Sequence, residues 1–460
     1  EIERLLAASQ GLDEIIIDAT LQPEAASLSV TQTLTLTNRE PAALTELALR
    51  LYPNAFRSEE TSPAATEELH SLCYPNGFSE GGGTMQTLSV NGKKASFTYG
   101  DAQNTLLRIP LTDEWLAGGT VSVTAEYTLQ LPQASHRFGF SGGVFTLGNA
   151  FLIPAVYEDG AYRSDPYSSI GDPFYSQCAN YHVTLRVPKG YECGASAYAA
   201  AEERADGSVY RFEALAARDF ALCVSNGYHA AQETRSGVLL TAYALTGQNA
   251  DKLLSIAAQA MDVYQKRFGP YPYPSFTLCE VDFPFGGMEY PGFVMVGGAT
   301  LATDEAERTI AHETAHQWWY AVVGSDQINL PWQDEALCEY SVLAFVQDTQ
   351  GSAAREEFYR RQIEFAMREH IAKGITPGSP IDYFITLSEY ATVVYDRGAA
   401  LLDAIDKASG GKMDEVLRAY YEQYAFKIAS RQDFERVLTE VTGQDLLPLM
   451  TDYLDTYLEN

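Results

Sequence analysis

The chain has 460 residues, of which 46% are hydrophobic, and it carries a formal net charge of −30 at pH 7. This length supports a large core and two or three domains, whereas so acidic a surface repels phosphate backbones and argues against nucleic-acid binding. The sequence contains no apolar run of the ~20 residues that a membrane-spanning helix needs. Six cysteines without a paired spacing predict buried free thiols, with one or two disulfides as the alternative.

Residues 1–235 are predicted to form an N-terminal domain of mainly antiparallel β-sheets. Apolar side chains recur at every second position in several runs, which is typical of a strand with one buried face. Two such runs contain Leu28, Val30, Leu34 and Leu36, and Val121, Val123, Ala125, Tyr127 and Leu129. Residues 56–84 are rich in Ser, Glu and Gly and predict an exposed loop, whereas the aromatic stretch 135–180 could cover a sheet edge or line a cleft.

Residues 236–460 are predicted to form a second domain, which is mostly helical. Its first part contains a helix at residues 251–268, followed by two strand-like runs on either side of G-G-M-E-Y-P-G. The remainder is helical, with breaks at residues 324–331, 374–380 and 410–411. The chain is therefore predicted to be a multidomain α+β protein.

The motif H-E-T-A-H at residues 312–316 predicts a zinc site. On a helix, His312 and His316 lie on one face about one turn apart, so both rings can bind one metal ion. Glu313 lies one step around the helix, where it is poorly placed to bind the same ion but well placed to take a proton from metal-bound water. Zinc would supply the acidity of that water and polarise a substrate carbonyl.

A third ligand is expected from a second helix, predicted from Trp332 to Gln347. Glu335 lies in its first turn, and the preceding segment with Gly and Pro permits a helical hairpin that returns this carboxylate to the two histidines. Glu339 is four residues further on and shares the face of Glu335. It could accept the free N–H of a ligand histidine, or it could be a solvated carboxylate.

Four motifs resemble those of the M1 zinc aminopeptidases of the gluzincin clan. The family pattern is H-E-x-x-H, 18 residues, then E, and residues 317–334 number 18 here. H-E-T-A-H-Q-W-W is similar to H-E-x-x-H-Q-W, and W-Q-D-E-A-L to W-x-x-E-G-x, with Ala336 where Gly is usual. G-G-M-E-Y at Gly286 to Tyr290 resembles G-A-M-E-N, and V-Y-D-R-G-A at Val394 to Ala399 resembles Y-E-K-G-A.

The resemblance implies a thermolysin-like catalytic domain and a role for each motif residue. Glu289 would bind the free α-amino group of a peptide, and Met288 would contribute to the first side-chain pocket. Gly286 and Gly287 would let the substrate backbone pair with an edge strand. Tyr395 would donate a hydrogen bond to the oxyanion that forms during hydrolysis. On the residues alone, Glu289 could be a turn carboxylate and Tyr395 a tyrosine packed on a helix.

Two residues depart from the family pattern, since Tyr290 replaces Asn and Gly287 replaces Ala. The tyrosine could narrow or reshape the cleft entrance. The N-terminal β region and G-D-P-F-Y-S at Gly171 resemble the bacterial branch of the family. Because the chain ends soon after Tyr395, it is expected to lack the long C-terminal helical domain of larger members, which would leave the cleft more open or in need of another cover.

These observations together predict a zinc-dependent aminopeptidase that binds one zinc ion (Zn2+) and cleaves peptides with a free N-terminus. Two alternatives stay open: a gluzincin hydrolase that acts on internal or non-peptide bonds, and a catalytically idle peptide-binding scaffold. An extracytoplasmic or membrane-anchored location in a bacterium is expected, through a segment absent from this chain, while a cytoplasmic location stays open.

Overall fold

The computed structural model describes residues 2–64, 67–371 and 374–456. Strands dominate its N-terminal half and helices its C-terminal half, which confirms the predicted multidomain α+β class. All six cysteines are buried and free. Among the described residues, no helix combines the length and the apolar character needed to cross a membrane.

The strands of the N-terminal half carry the alternating runs seen in the sequence. They are β1 (Asp13–Gln22), β2 (Ser27–Thr37), β3 (Leu44–Arg50), β4 (Gly82–Val90), β5 (Lys93–Lys94), β6 (Thr98–Tyr99), β7 (Leu106–Trp115), β8 (Thr120–Gln130), β9 (Phe138–Ser141), β10 (Val144–Leu147), β11 (Ile153–Pro154), β12 (Tyr157–Glu158), β13 (Ala161–Tyr162), β14 (Ala179–Pro188), β15 (Glu192–Ala195), β16 (Glu202–Glu203), β17 (Gly207–Ala217) and β18 (Leu222–Ser225). Two helices, α1 (Ile2–Ser9) and α2 (Glu67–Cys73), accompany them.

The largest sheet of this half has eight strands in the order β16-β17-β14-β1-β2-β8-β4-β5. Two four-stranded sheets, β15-β18-β10-β9 and β11-β3-β7-β6, pack near it. The pairing of β2 with β8 places Leu34 opposite Val123, and both side chains are fully buried. The period-2 pattern therefore identifies the core face of the sheet correctly.

Residues 56–84 differ from the predicted exposed loop. They contain α2, and Leu69, Cys73 and Tyr74 are buried in a small apolar cluster with Ala134. A few apolar residues scattered through a Ser- and Glu-rich segment carry too weak a periodicity to predict this packing. The aromatic stretch 135–180 lines a cleft with Asp172, and it also contributes the strands β9 and β10 to a sheet.

The C-terminal half begins with a five-stranded sheet and continues with helices. Its strands are β19 (His229–Arg235), β20 (Val238–Ala244), β21 (Ser275–Val281), β22 (Gly287–Tyr290) and β23 (Phe293–Gly297), in the order β19-β20-β21-β23-β22. The helices are α3 (Gly247–Phe268), α4 (Gly298–Leu301), α5 (Ala306–His316), α6 (Trp332–Gln350), α7 (Ser352–Arg361), α8 (Ile363–Ala366), α9 (Leu387–Tyr390), α10 (Gly398–Ser409), α11 (Met413–Tyr424), α12 (Arg431–Thr442) and α13 (Leu447–Leu454). Two π-helical segments, Gln317–Val322 and Ala391–Arg397, directly follow α5 and α9.

The five-stranded sheet lies between two apolar cores. Leu278, Val294 and Val296 pack in the core that contains the helices, whereas Cys279 and Met295 pack in the core of the N-terminal half. Burial on both faces explains why β21 and β23 are nearly continuous apolar runs in the sequence. Strand β22 is at the edge of the sheet and pairs with β23 on one side.

The predicted domain boundary at residue 235 lies between β19 and β20. These two strands pair with each other from His229 opposite Ala244 to Arg235 opposite Val238. Strand β19 thus belongs to the sheet of the C-terminal half, and the position of the boundary stays a prediction.

Candidate metal centre and cleft

Three side chains of the predicted zinc site meet between α5 and α6. His312 and His316 lie one turn apart on α5, and their Nε2 atoms are 3.1 Å from each other. Glu335 lies in the first turn of α6, with Oε2 3.1 Å from Nε2 of His312 and 3.4 Å from Nε2 of His316. All three residues are buried. The π-helical segment and the loop after α5 return the chain so that the two helices pack together.

The other ring nitrogen of each histidine contacts a carboxylate. Nδ1 of His312 is 3.2 Å from Oε2 of Glu339, the partner predicted for it, and Nδ1 of His316 is 2.6 Å from Oδ1 of Asp334. Gln327 in turn donates a hydrogen bond to Asp334. Such carboxylates favour the proton on Nδ1, which leaves the lone pair of each Nε2 free for a metal ion. The role of Asp334 was not predicted from the sequence, although this residue directly precedes Glu335.

The donor set fits one zinc ion. Two imidazole nitrogens and one carboxylate oxygen whose atoms all lie within 4.8 Å of one another can supply three ligands of a tetrahedral site and leave the fourth position open. Two buried Nε2 atoms that face each other with their lone pairs repel unless a cation lies between them. The geometry therefore agrees with zinc, the cofactor predicted from the sequence.

Glu313 faces the cleft beside this site. Its carboxylate is buried, and Oε2 has no hydrogen-bond partner among the described residues. Burial raises the pKa of Glu313 to about 7, so the group can take up and release a proton near neutral pH. A Cβ atom added at Gly287 would overlap the carboxyl group of Glu313, which means that this glycine lets Glu313 lie directly against β22.

Strand β22 places Glu289 at the same cleft. Within the part of the chain that the structure describes, Oε1 of this buried carboxylate has no partner. Ligand atoms of Glu289, Glu313 and His316 lie within 4.8 Å of one another. Burial raises the pKa of Glu289, and the negative charge of Asp172 raises it further. A cation that enters the cleft would relieve both effects.

The alternation of β22 turns its other two side chains away from the cleft. Gly287 and Glu289 face the cleft together with Gly286, whereas Met288 and Tyr290 are buried in the core of the N-terminal half. Tyr290 donates a hydrogen bond of 3.0 Å to Oδ1 of Asn149. The structure therefore does not bring Met288 to the first side-chain pocket, and Tyr290 does not reach the cleft entrance.

Tyr395 lies over the metal site. It belongs to the π-helical segment Ala391–Arg397, and its ring stacks on His312 with a centroid distance of 5.2 Å and an interplanar angle of 7°. Burial raises the pKa of the Tyr395 hydroxyl. The hydroxyl is therefore protonated at neutral pH and can donate a hydrogen bond into the cleft.

Several residues that line the cleft were not predicted from the sequence. The cleft has a volume of about 330 Å³, and its walls include Arg137, Asp172, Phe285, Arg308, Leu387 and Tyr390. Arg137 and Asp172 form a buried ion pair of 2.9 Å. Asp172 had a motif signal, because it belongs to G-D-P-F-Y-S.

Arg308 connects three elements around the metal site. It lies one turn before His312 on α5, and its Nε donates a hydrogen bond of 3.0 Å to Glu339 on α6. Its Nη2 is 3.4 Å from Oδ1 of Asp396, the residue next to Tyr395. The guanidinium group thus contacts both the carboxylate that holds His312 and the segment that carries Tyr395. Its spacing of four residues from His312 is the only sequence signal for this role.

Comparison with known proteins gives matches in sequence and in structure. The model of the peptidase family M1 domain matches residues 253–453. Endoplasmic reticulum aminopeptidase 1 of Rattus norvegicus is 25% identical over 242 residues, which cover 49% of this chain and 26% of that protein. Leucyl aminopeptidase of Saccharolobus solfataricus is 22% identical over 354 residues, which cover 68% of this chain and 44% of that protein. The chain thus spans about a quarter to under half of the length of these relatives.

Solved structures match over nearly the whole chain. The M1 zinc metallopeptidase of Deinococcus radiodurans superposes with a TM-score of 0.71 at 16% identity, covering 98% of this chain and 94% of that one. A two-domain M1 zinc metallopeptidase with bound L-tryptophan gives the same TM-score at 16% identity. At this identity the match establishes the fold. The family-model match shows that residues 253–453 are similar to the peptidase family M1 domain.

Proposed function

We propose that the chain is a zinc-dependent aminopeptidase that hydrolyses the first peptide bond of substrates with a free N-terminus. The observation that carries this proposal is the buried, unpartnered Oε1 of Glu289, on a residue whose ligand atom lies within 4.8 Å of those of Glu313 and His316. A buried anion at this distance from the metal donors suits the ammonium group of an N-terminal residue. The names of the relatives, aminopeptidases from a mammal and an archaeon, agree with it.

Zinc, when bound by His312, His316 and Glu335, would act as a Lewis acid that polarises a substrate carbonyl and lowers the pKa of water. The carboxylates of Glu339 and Asp334 keep the ligand histidines oriented for it.

The residues of the cleft would then each have a separate role in hydrolysis. Glu313 would accept a proton from the attacking water and pass it to the leaving amine, which its position beside the metal donors permits. Tyr395 donates a hydrogen bond to the oxygen that becomes negatively charged. Gly286 and Gly287 leave the edge of β22 open to the substrate backbone.

The ammonium site is tested by Glu289→Gln with aminoacyl and N-acetylaminoacyl fluorogenic substrates. The wild type should cleave only the free-amine substrate, and Glu289→Gln should lower its kcat/KM by about 100-fold, because a neutral amide cannot pair with the ammonium charge. Glu280→Gln is a matched control, since Glu280 is another buried carboxylate of the same sheet and binds Leu245 and Asn249 outside the cleft.

Other outcomes would favour the alternatives. Equal cleavage of acetylated and free substrates by the wild type would indicate a hydrolase that acts on internal bonds. Turnover of no peptide or ester by the zinc-loaded protein would indicate a binding scaffold.

A further inference from the structure

Gln317 connects the two halves of the proposed substrate site. It directly follows His316, the last residue of α5, and it is fully buried. Its side-chain amide uses both ends: Nε2 donates a hydrogen bond of 3.0 Å to the carbonyl oxygen of Tyr290, and Oε1 accepts one of 2.8 Å from the backbone N–H of Gly292. Neither atom of the amide is left unpaired.

The two backbone groups belong to the turn that ends β22. Tyr290 is the last residue of this strand and follows Glu289, while Gly292 has a φ of +69° and lies in the turn to β23. Any Cβ atom at Gly292 would overlap the carbonyl oxygen of Ser196, so the turn is held close to the N-terminal half. Gln317 therefore ties the end of the helix with the two histidines to the strand with the amine-binding carboxylate.

We propose that Gln317 is a positioning residue that sets the spacing between Glu289 and the metal ligands on α5. A ligand that touches Glu289 and the metal at once depends on this spacing, because a misplacement of about 1 Å can cost about 100-fold in a preorganised site. A ligand that touches the metal alone does not depend on it. The inference rests on the proposed function, since it assumes that Glu289 binds an amino group.

The test compares L-leucine hydroxamate with acetohydroxamate on the zinc-loaded protein. The first has a free amine for Glu289 and a hydroxamate for the metal, whereas the second has only the hydroxamate. Binding is measured by calorimetry for the wild type, Gln317→Met and Gln317→Glu. The methionine removes both hydrogen bonds at similar volume, and the glutamate keeps only the acceptor for Gly292.

The wild type should bind L-leucine hydroxamate much more tightly than acetohydroxamate. In Gln317→Met this ratio of dissociation constants should fall by about tenfold or more, while the dissociation constant of acetohydroxamate changes by less than about twofold. Gln317→Glu should give a smaller loss of the same kind. It also keeps the test decisive if the methionine variant does not fold.

Gln32→Met is the matched control. Gln32 is a fully buried glutamine whose amide also uses both ends, donating to the carbonyl oxygen of Leu152 and accepting from its N–H, but it lies in the N-terminal sheet. Both methionine variants should lower the melting temperature, whereas only the one at Gln317 should change the ligand ratio.

Two results would overturn the inference, and they differ from each other. A wild-type preference for L-leucine hydroxamate that survives in both Gln317 variants would reduce Gln317 to a residue of general stability and leave the proposed function intact. A wild type that does not prefer L-leucine hydroxamate would overturn the proposed function, and the inference with it.

Discussion

Two buried carboxylates of the cleft, Glu289 and Glu313, each keep an oxygen without a partner among the described residues. An unpaired buried polar atom is costly, so it marks a place where a ligand or water completes the bonding. Gly287 contributes by having no Cβ atom, because only then can Glu313 lie against the strand that carries Glu289. The alanine usual at this position of the family motif would require a different position of the glutamate.

Glu313→Gln is expected to retain zinc and to lose turnover. The amide has the size of the carboxylate but cannot accept a proton, so kcat should fall by about 1000-fold. The measurements are kcat and the zinc content per chain. Glu422→Gln, at an exposed site on α11, should behave as the wild type. Normal turnover by Glu313→Gln would contradict the role of this residue as the base.

At the scale of elements, the site depends on how α5, α6 and the segment Ala391–Arg397 are held together. Helix α5 contributes two histidines, α6 contributes a carboxylate, and the segment contributes a tyrosine. None of these groups can form the site without the others. Arg308 contacts the carboxylates of Glu339 and Asp396 on the two other elements. Burial lowers the pKa of Arg308, but the negative charges of Glu339 and Asp396 outweigh this effect and raise the pKa above its usual value, so the guanidinium stays charged.

Arg308→Met is expected to weaken zinc binding by about tenfold or more, because Glu339 loses the charge that orients it toward His312. Arg308→Lys should restore part of the affinity, since it keeps the charge but not the fork of donors. Zinc affinity is measured by competition with a chromogenic chelator. Arg355→Met removes another arginine–carboxylate pair, with Asp403, away from the metal site and serves as the control. Equal zinc affinities of the two methionine variants would refute the role of Arg308.

At the scale of the whole molecule, the N-terminal sheets and the helices are joined by a buried arginine. Arg218 donates hydrogen bonds to the carbonyl oxygens of Ser176, Tyr320 and Lys427, at 3.3, 2.8 and 2.6 Å. These carbonyls come from the N-terminal half, the segment after α5 and the link between α11 and α12. A Cβ atom at Gly324 would overlap the guanidinium group, so that glycine is needed for the approach.

Arg218→Met is expected to lower the free energy of unfolding by about 3 kcal/mol, because it removes several buried hydrogen bonds to backbone carbonyl oxygens. The effect is measured by urea unfolding. Arg211→Met removes an arginine of the neighbouring strand β17 whose side chain is 62% exposed, and it should change stability by less than about 0.5 kcal/mol. A similarly small effect at Arg218 would show that the halves are held by apolar packing alone.

The sequence by itself determined the features that depend on local spacing. Two histidines four residues apart and a glutamate after an 18-residue gap identified the metal donors, since a helix turns a fixed spacing into a shared face. The same motifs resemble those of the family whose model matches residues 253–453. The catalytic roles, the domain boundary and the cellular location stay predictions.

Only the tertiary structure decided which residues from distant segments complete the site. Period-2 alternation in a strand buried on both faces does not say which face meets the cleft, so Met288 was expected there although Glu289 faces the cleft and Met288 packs in the core of the N-terminal half. Arg137, Arg308 and Gln317 contact partners far away in the chain, and spacing along the sequence does not identify those partners. Their positions follow from the packing of two cores on one sheet, a property of the folded chain as a whole.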